Sequence, residues 1–534
     1  MAALAVYTVA LGHSTLWSRD ETTYASMARH MLRRGDWLTL WWNGRPWFNH
    51  PPFYFWLEAL SFRMLGNTEL AARLPSAVFG AAGVALTCLW GWRIAGPRAG
   101  LFSAACLGLS IQYFLESRMG IIDTALLFFL SLAIFGFFIG WSGQRKGYWL
   151  FFLGCGLAWL AKGPWGMVIP LVVVIPFAFS CAAPRRLHEL PWFRGLALAL
   201  LVGGSWYAVQ IAIHGAVFAR TVLGYYFLGR ITQKVEHQGG PLWLYVPVIL
   251  GGFLPWSLLL PSALKRLFTR RTDADRLLLC WVVIPFVGLT LAQTKLPSYA
   301  AFVYVPCALA VGGMLDAVVA EKRDLRWPFA LGAALGTILA TALRFWAARA
   351  VRVPLGAPEG AELGFTLLAL GCLVAAVFAR PAQASSTRPA SDHSRTVWPV
   401  LSASLGTLGL FACIVGIVYP ALEPVRSFTA LCAETRRKVL PTTPMAVYGH
   451  GEYGFIYYAD RGPVADLKSL VKLRKWISAH ERPKDPHTPT AAGETDAGGV
   501  VVMPQTTYAT LPEELRSHLR IVGATTRDVL ASTD

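Results

Sequence analysis

Long apolar runs dominate the first 420 residues of this chain and constrain its fold more than any other feature. Each run has roughly 17–22 residues, which is enough for an α-helix to cross a hydrocarbon core of about 30 Å. The chain is 55% hydrophobic and only 15% charged, whereas soluble globular domains carry about 25% charged residues. We therefore predict an all-α polytopic membrane protein with about 13 transmembrane helices. The predicted spans are residues 1–17, 75–95, 99–116, 121–141, 147–161, 165–182, 195–213, 242–262, 277–292, 300–320, 327–346, 361–379 and 398–419.

The charged residues predict how the chain is oriented in the membrane. The formal net charge of +18 would raise the question of nucleic acid in a soluble protein. Here Lys and Arg collect in every second connection between the predicted spans, for example at Arg185, Arg186 and Arg194. By the positive-inside rule these loops are cytoplasmic, so the basic residues need no nucleic-acid partner. The other loops, including the long first loop at residues 18–74, are then extracytoplasmic.

The composition changes beyond about residue 420, where short helical and strand-like segments alternate. We therefore predict two domains: a transmembrane domain at residues 1–420 and a small extracytoplasmic α/β domain at residues 421–534. The segments that predict helices are "PVRSFTALCAETRRKVL" and "LKSLVKLRKWI", and those that predict strands are "PMAVYGH", "FIYYAD" and "GGVVVMP".

Two adjacent carboxylates, Asp20 and Glu21, follow the first predicted span and begin an amphipathic helix, "DETTYASMARHMLRR". Capping alone explains them, since Asp is a favoured N-cap and anions at a helix N-terminus gain from the dipole. The loop then continues as the polar and basic strip "NGRPWFNHPPFYFWL", which is more polar than a tether between spans requires.

Further polar side chains stand at the extracytoplasmic ends of the predicted spans. Asp123 and Lys162 each allow a structural interpretation, as a helix cap and as a snorkelling lysine. The positive-inside rule disfavours cations on this side, so their presence indicates a bound anion such as phosphate. A carboxylate near such cations suits transfer of a phosphate-activated group, because the carboxylate accepts a proton and the cations stabilise the departing phosphate. The other cations of this set are Arg45, Arg118, Arg230, Lys234 and Lys295, its histidines are His50 and His237, and Tyr299 lies beside Lys295 in the same loop.

Other motifs exclude alternative chemistries. Asp273–Asp275 reads "DAD", like the DxD of nucleotide-sugar transferases, but it lies in a short cytoplasmic loop with no room for a nucleotide domain. There is no GxxxxGK[ST] motif for ATP. Eight of the nine cysteines fall in or beside predicted spans and no CxxC occurs, so neither disulfides nor a thiolate zinc site is predicted.

The segments "RDETTYASMARHMLRRGDW", "NGRPWFNHPPFYFWLEALSFRMLG", "SRMGIIDT", "AWLAKGPWGMVIPL" and "TKLPSYAAFVYVPCALAV" resemble the protein mannosyltransferase / aminoarabinose (lipid A) transferase family. The likeness covers about residues 15–315 in family order. It implies a GT-C glycosyltransferase that uses a polyprenyl-phosphate sugar, works in lipopolysaccharide or cell-envelope biosynthesis, and acts on a lipid (lipid A-like), glycan or protein acceptor.

The resemblance also implies roles for individual residues. Asp20 would be the catalytic base with Glu21 beside it, and Asp123 the second acid of the site. Lys162, Lys295 and Tyr299, together with His50 and Arg118, would bind the lipid phosphate. His237 falls near a histidine that binds a divalent metal ion in some members, which makes such an ion the one expected cofactor. Aminoarabinose transferases typically read Phe-Glu-Lys-Pro-Pro where this chain reads "FNHPP", so Asn49 replaces a metal-binding Glu and His50 a phosphate-binding Lys.

We therefore expect a multi-pass glycosyltransferase of the inner (plasma) membrane, with its active site on the extracytoplasmic side. A polytopic transporter or lipid flippase would explain the spans equally well. It would not explain why the polar residues cluster in external loops, and no internal repeat is visible. A third alternative is a scaffold without catalysis, which the intact Asp20, Glu21 and Asp123 disfavour.

Overall fold

A computed structural model describes the whole chain except residues 223, 225–238, 322–325, 348–355, 380–393, 450–451, 481–497, 526 and 534. The described part contains long apolar helices through the first 420 residues and a mixed sheet with short helices near the C-terminus. This confirms the predicted fold class of an all-α polytopic membrane protein with a small C-terminal α/β region.

Eight helices of the described part are long and apolar enough to cross a membrane, or ten if each of two sharply bent helix pairs counts as one span. The other three of the predicted spans contain shorter helices, Ala2–Thr8, Lys146–Lys162 and Trp165–Ser180. The spanning helices are Glu69–Ala95, Asp123–Trp141, Trp192–Val222, Asp273–Leu291, Pro297–Val318, Arg326–Trp346, Ala357–Phe378 and Val397–Pro424, and the bent pairs are Pro97–Gly108 with Ile111–Ser117 and Tyr245–Gly252 with Trp256–Arg270.

The contacts within the chain gather into two compact units. The membrane unit consists of Met1–Leu11, Phe48–Leu57 and Arg73–Ala421. The loop–tail unit consists of Gly12–Trp47, Glu58–Ala72 and Leu422–Asp534. Most of the first loop therefore packs with the C-terminal residues.

Within the membrane unit, the helices Asp123–Trp141 and Lys146–Lys162 form a tightly packed antiparallel pair. Glycines allow the close approach: a Cβ atom on Gly154 would lie 2.7 Å from the backbone nitrogen of Ala133, and one on Gly136 would lie 2.7 Å from that of Phe151. Since the helices run in opposite directions, the first residue of one and the last residue of the other meet at the same end.

In the loop–tail unit, the helix Arg19–Arg34 is followed by a hairpin of β1 (Leu40–Trp42) and β2 (Arg45–Trp47) and by the helix Phe53–Leu65, of which residues 58–65 belong to this unit. Asn43 and Gly44 both have positive φ, at 50° and 77°, as a two-residue hairpin turn of type I′ requires. The Asn43 side chain also bonds the backbone of Val464, accepting from its N–H at 2.7 Å and donating to its carbonyl at 2.9 Å.

The C-terminal sheet has five strands in the order β4-β3-β5-β7-β6, with apolar clusters on both faces. The pairs β3–β4 and β3–β5 are parallel, and the pairs β5–β7 and β6–β7 are antiparallel. The strands are β3 (Met445–Tyr448), β4 (Val464–Leu467), β5 (Gly499–Pro504), β6 (Leu519–Ala524) and β7 (Asp528–Thr533), and the helices of this region are Tyr419–Arg426, Thr429–Lys438, Glu452–Ala459, Leu470–His480, Gln505–Ala509 and Glu513–Arg516.

One predicted strand is wrong. The segment "FIYYAD" belongs to the helix Glu452–Ala459, although its aromatic and β-branched residues favour a strand. Phe455, Ile456 and Ala459 lie on one helical face and are buried in the cluster beneath the sheet. These buried residues recur at i, i+1 and i+4, which is the spacing of one helical face. Burial of this face therefore outweighed the strand preference of the individual residues.

Candidate active site

The Asp20–Glu21 pair belongs to the loop–tail unit and starts the helix Arg19–Arg34. Ser18 is the N-cap, and its hydroxyl accepts from the backbone N–H of Glu21 at 3.0 Å. The Glu21 carboxylate accepts in return from the backbone N–H groups of Ser18 at 3.5 Å and Trp17 at 3.3 Å. Glu21 is therefore part of a capping box, as the structural interpretation predicted.

The two adjacent carboxylates differ in exposure. Glu21 is 2% exposed, whereas Asp20 is exposed to solvent. Glu21 holds the helix start through its backbone bonds, and the side chain of Asp20 beside it is exposed. The structure thus separates an anchoring acid from an accessible acid, and it assigns the cap to Ser18 rather than to Asp20.

A third carboxylate, Glu58, lies near this helix start and was not found from the sequence. It is 0% exposed, and neither of its carboxylate oxygens has a hydrogen-bond partner in the described part of the chain. Burial, together with the negative charge of Glu21, raises the pKa of Glu58 well above its ordinary value of 4.5. The signal available in the sequence was a lone acid inside the aromatic run "PFYFWLEALSF".

In the membrane unit, two of the predicted site residues form an ion pair. Asp123 is the first residue of the helix Asp123–Trp141, and Lys162 is the last residue of the helix Lys146–Lys162. The Lys162 ammonium donates to the Asp123 carboxylate at 2.6 Å, and the side chains are only 14% and 12% exposed. Each charge also suits its helix end, since the dipole favours an anion at the N-terminus and a cation at the C-terminus.

An aromatic ring and a second acid complete this cluster. The Lys162 ammonium lies 5.4 Å from the centre of the Tyr299 ring, and Glu116 is near enough to interact electrostatically with both Asp123 and Lys162. Gln112 donates to Glu116 at 2.7 Å and accepts from the hydroxyl of Tyr304 at 2.6 Å. Sequence reasoning missed Glu116 and Gln112, although their spacing of four residues places them on one helical face.

Hydroxyl groups hold the segment before Asp123 in place. Ser76 donates to the carbonyl of Ile121 at 2.7 Å and accepts from its backbone N–H at 3.2 Å. Tyr54 and Ser76 share a hydrogen bond of 2.7 Å, and all of these groups are buried. The position of Asp123 is thereby tied to the helices Phe53–Leu65 and Glu69–Ala95.

Two other predicted phosphate-binding residues, Arg118 and Lys295, bond backbone carbonyls. Arg118 donates to the carbonyl of Tyr7 at 2.9 Å, which is a structural contact. Lys295 is 6% exposed and donates to the carbonyl of Ala292. His50 is 6% exposed and directly precedes Pro51. Of the predicted set in this unit, the structure brings together Asp123, Lys162 and Tyr299.

The predicted metal ligand His237 lies outside the described residues. Among the residues that are described, no three His, Cys, Asp or Glu side chains come together in a way that could hold a metal ion. The described part therefore offers no ligand set for the divalent ion, which stays a prediction, and no chemical step is assigned to it.

The "DAD" motif has structural roles. Asp275 forms a capping box with Thr272 at the start of the helix Asp273–Leu291, and Asp273 accepts from the indole N–H of Trp141 at 2.8 Å. Both carboxylates are thus used within the fold.

Comparisons with known proteins identify the family of this chain. The family model of dolichyl-phosphate-mannose-protein mannosyltransferases matches residues 49–207. An undecaprenyl phosphate-alpha-4-amino-4-deoxy-L-arabinose arabinosyl transferase of Pseudomonas aeruginosa is 30% identical over 391 residues, which are 70% of this chain and 69% of that protein. The enzyme of the same name from Pectobacterium carotovorum is 30% identical over 353 residues, or 63% of this chain. The match spans 62% of that relative's length.

The fold is also that of a solved structure. The crystal structure of ArnT from Cupriavidus metallidurans bound to undecaprenyl phosphate superposes with a TM-score of 0.81 at 20% identity, covering 99% of this chain and 96% of the other. The fold likeness over nearly the full length, together with the sequence identity to the Pseudomonas aeruginosa protein, shows that this chain belongs to the undecaprenyl-phosphate aminoarabinose arabinosyl transferase family of GT-C membrane proteins.

Proposed function

We propose that this chain transfers a sugar from a polyprenyl-phosphate donor to a lipid A-like lipid, a glycan or a protein. The reaction would take place on the extracytoplasmic face of the inner (plasma) membrane. The single observation on which this proposal depends is the largely buried ion pair of Lys162 and Asp123. The Lys162 ammonium lies 2.6 Å from the Asp123 carboxylate and beside the ring of Tyr299. A cation so placed at a helix end, in a family named for undecaprenyl-phosphate donors, suits the phosphate of such a donor.

The proposed chemistry is a single displacement at the anomeric carbon. The acceptor oxygen forms a bond to this carbon as the bond to the phosphate oxygen breaks. The proton of the acceptor hydroxyl goes to the Asp20 carboxylate, which is exposed and can later release it to water. The polyprenyl phosphate leaves with the bonding electrons, and Lys162 stabilises the negative charge. Asp123 holds Lys162 in position between donors.

An apolar cavity supports binding of an isoprenoid chain. It lies in the membrane unit, has a volume of about 440 Å³ and is lined by Gln112, Pro247, Val248, Leu339 and Phe365, among others. Gln112 also bonds Glu116, so the cavity adjoins the polar cluster around Lys162. A hydrophobic chain would thus end near a cation, as a lipid phosphate requires.

The test is transfer by the purified, membrane-reconstituted protein. Polyprenyl-phosphate sugars would be supplied as a panel with membrane acceptors, with and without a chelator, and the released polyprenyl phosphate would be measured. Asp20→Asn should lower the transfer rate by about 10²–10⁴-fold, the usual contribution of a general base. Asp36→Asn is the matched control in the same loop and should transfer normally.

Two outcomes would contradict the proposal. If Asp20→Asn folds and transfers at the normal rate, Asp20 is not the base. If no donor is consumed under any condition, the transporter or flippase alternative gains support, and movement of the lipid-linked sugar across the vesicle membrane would be measured next.

A further inference from the structure

A buried carboxylate without a partner is unusual, because an ionised carboxylate in an apolar environment is strongly destabilising unless it is paired. Glu58 is such a group. It is 0% exposed, and within the described part of the chain its two oxygens accept and donate no hydrogen bond. By contrast, Glu116, a buried acid of the membrane unit, accepts from Gln112 at 2.7 Å.

The charged and titratable neighbours of Glu58 explain which of the two acids keeps its charge. Glu21, on the helix Arg19–Arg34, acts on Glu58 as a like charge, and Tyr457, on the helix Glu452–Ala459, lies within electrostatic range. Tyr457 itself interacts with Arg29, Glu69 and Asp460. Glu21 accepts two backbone hydrogen bonds at a helix N-terminus, where the helix dipole favours an anion, whereas Glu58 has no hydrogen-bond partner among the described residues.

We propose that Glu58 is a positioning residue of the Asp20–Glu21 segment, where it remains a neutral carboxylic acid and lets Glu21 keep its charge and its capping bonds. If Glu58 ionised, two neighbouring buried carboxylates would repel each other. Movement of the Glu21 side chain away from that repulsion would break the capping box beside Asp20. The link to transfer rests on the proposed function, but the charge state of Glu58 does not.

This proposal predicts a definite pH dependence of stability. A carboxyl whose folded pKa is raised makes folding less favourable as the pH rises from its ordinary pKa toward the folded one, because the folded state must keep a proton that the unfolded state releases. Glu58→Gln removes this penalty while keeping the size and neutrality of the side chain. Its Tm should therefore exceed that of the wild type by a margin that grows from about pH 5 to about pH 8.

The experiment compares the full-length wild type, Glu58→Gln and Glu116→Gln in detergent. Tm would be measured against pH, and the infrared carbonyl band of a protonated carboxylic acid would be recorded at about pH 8, where an ordinary Glu is ionised. We expect the band to lose intensity in Glu58→Gln, and the part that is lost there to remain in Glu116→Gln. If Glu58→Gln does not fold, Glu58→Asp is measured in its place, and an unchanged band in that variant would overturn the assignment to Glu58.

Transfer activity provides the second measurement. From neutral pH to the alkaline limit, Glu58→Gln should lose a several-fold smaller share of its own transfer activity than the wild type loses, since its side chain cannot ionise. Parallel Tm curves and a band unaffected by Glu58→Gln would overturn the proposal while leaving the proposed function intact. Absence of transfer by the wild type would overturn the proposed function. The stability and infrared results would still show whether Glu58 is a neutral carboxylic acid.

Discussion

Two regions of the molecule hold a carboxylate away from bulk water, and they use different partners. In the membrane unit, the Asp123 carboxylate accepts a hydrogen bond from the ammonium group of Lys162 at 2.6 Å. In the loop–tail unit, the Glu21 carboxylate accepts hydrogen bonds from backbone N–H groups at the start of a helix. The ion pair depends on two side chains, each of which is costly to bury alone. The capping box depends mostly on the backbone, so a single substitution should harm it less.

This contrast agrees with the roles proposed for the two regions. A lysine held by an aspartate can turn toward a phosphate when the donor arrives, because a cation can exchange one anionic partner for another. A backbone-capped helix cannot exchange partners, and it suits a rigid support for Asp20. The following predictions test the contrast, beginning with the largest expected effect.

Lys162→Ala should cause the largest loss of stability, because it leaves Asp123 buried and unpaired at a cost of about 3–5 kcal/mol. Thermal unfolding in detergent would measure the change. Adding Asp123→Asn in the same chain should recover much of the lost stability but no transfer activity. If Lys162→Ala alone is as stable as the wild type, the pair is not a buried ion pair in the working enzyme.

Ser18→Ala should have a smaller effect, since it removes one N-cap hydrogen bond, worth about 0.5–2 kcal/mol. The chain offers Ser142→Ala as a control, because Ser142 is an exposed serine in a loop. Comparable destabilisation by the two variants would show that the capping box contributes little. A drop in transfer larger than the drop in stability would indicate that the cap positions Asp20.

Asp36→Asn should have the smallest effect on stability, and this effect should be present only above the lowered pKa of Asp36. Burial raises the pKa of Asp36, but bonds from Thr39, Trp41 and Leu38 outweigh it and hold the pKa below the ordinary value of 3.8. A carboxyl with a lowered pKa stabilises the fold above its ordinary pKa, and this contribution is lost as the pH falls through the lowered value.

The measurement for Asp36 is Tm from about pH 3 to about pH 7. The difference between Asp36→Asn and the wild type should be present at neutral pH and vanish at the acidic end. Glu513→Gln, which removes a carboxylate that is 76% exposed, should show no such convergence. A constant difference at every pH would mean that the Asp36 charge is not what stabilises this turn.

Much of the fold could be predicted because membrane spans are long and strongly patterned. The helix Arg19–Arg34 could also be predicted, since its polar start and apolar periodicity are local signals. The strand predicted at "FIYYAD" was wrong, because residue preference favours a strand while burial beneath the sheet selected a helix. Local preference is weak enough for tertiary packing to override it.

The candidate site could be predicted in part. Asp20, Asp123 and Lys162 stand out because charged residues are costly beside apolar spans. The pairing of Asp123 with Lys162 could not be read from their separation in sequence, since it depends on the antiparallel packing of two helices at their glycines. Glu58 was missed because nothing in its neighbours along the chain shows that its oxygens would be buried without partners.

The sequence by itself determined that this chain is a polytopic membrane protein with acids and cations at the ends of its spans, because hydropathy and charge distribution are properties of short segments. Only the tertiary structure decided the partner of each acid. Asp123 pairs with a lysine, Glu21 accepts from backbone N–H groups at a helix start, and Glu58 has no hydrogen-bond partner in the part of the chain that the structure describes. Those assignments depend on distances of a few ångströms between residues that lie far apart along the chain, and such distances are fixed by packing.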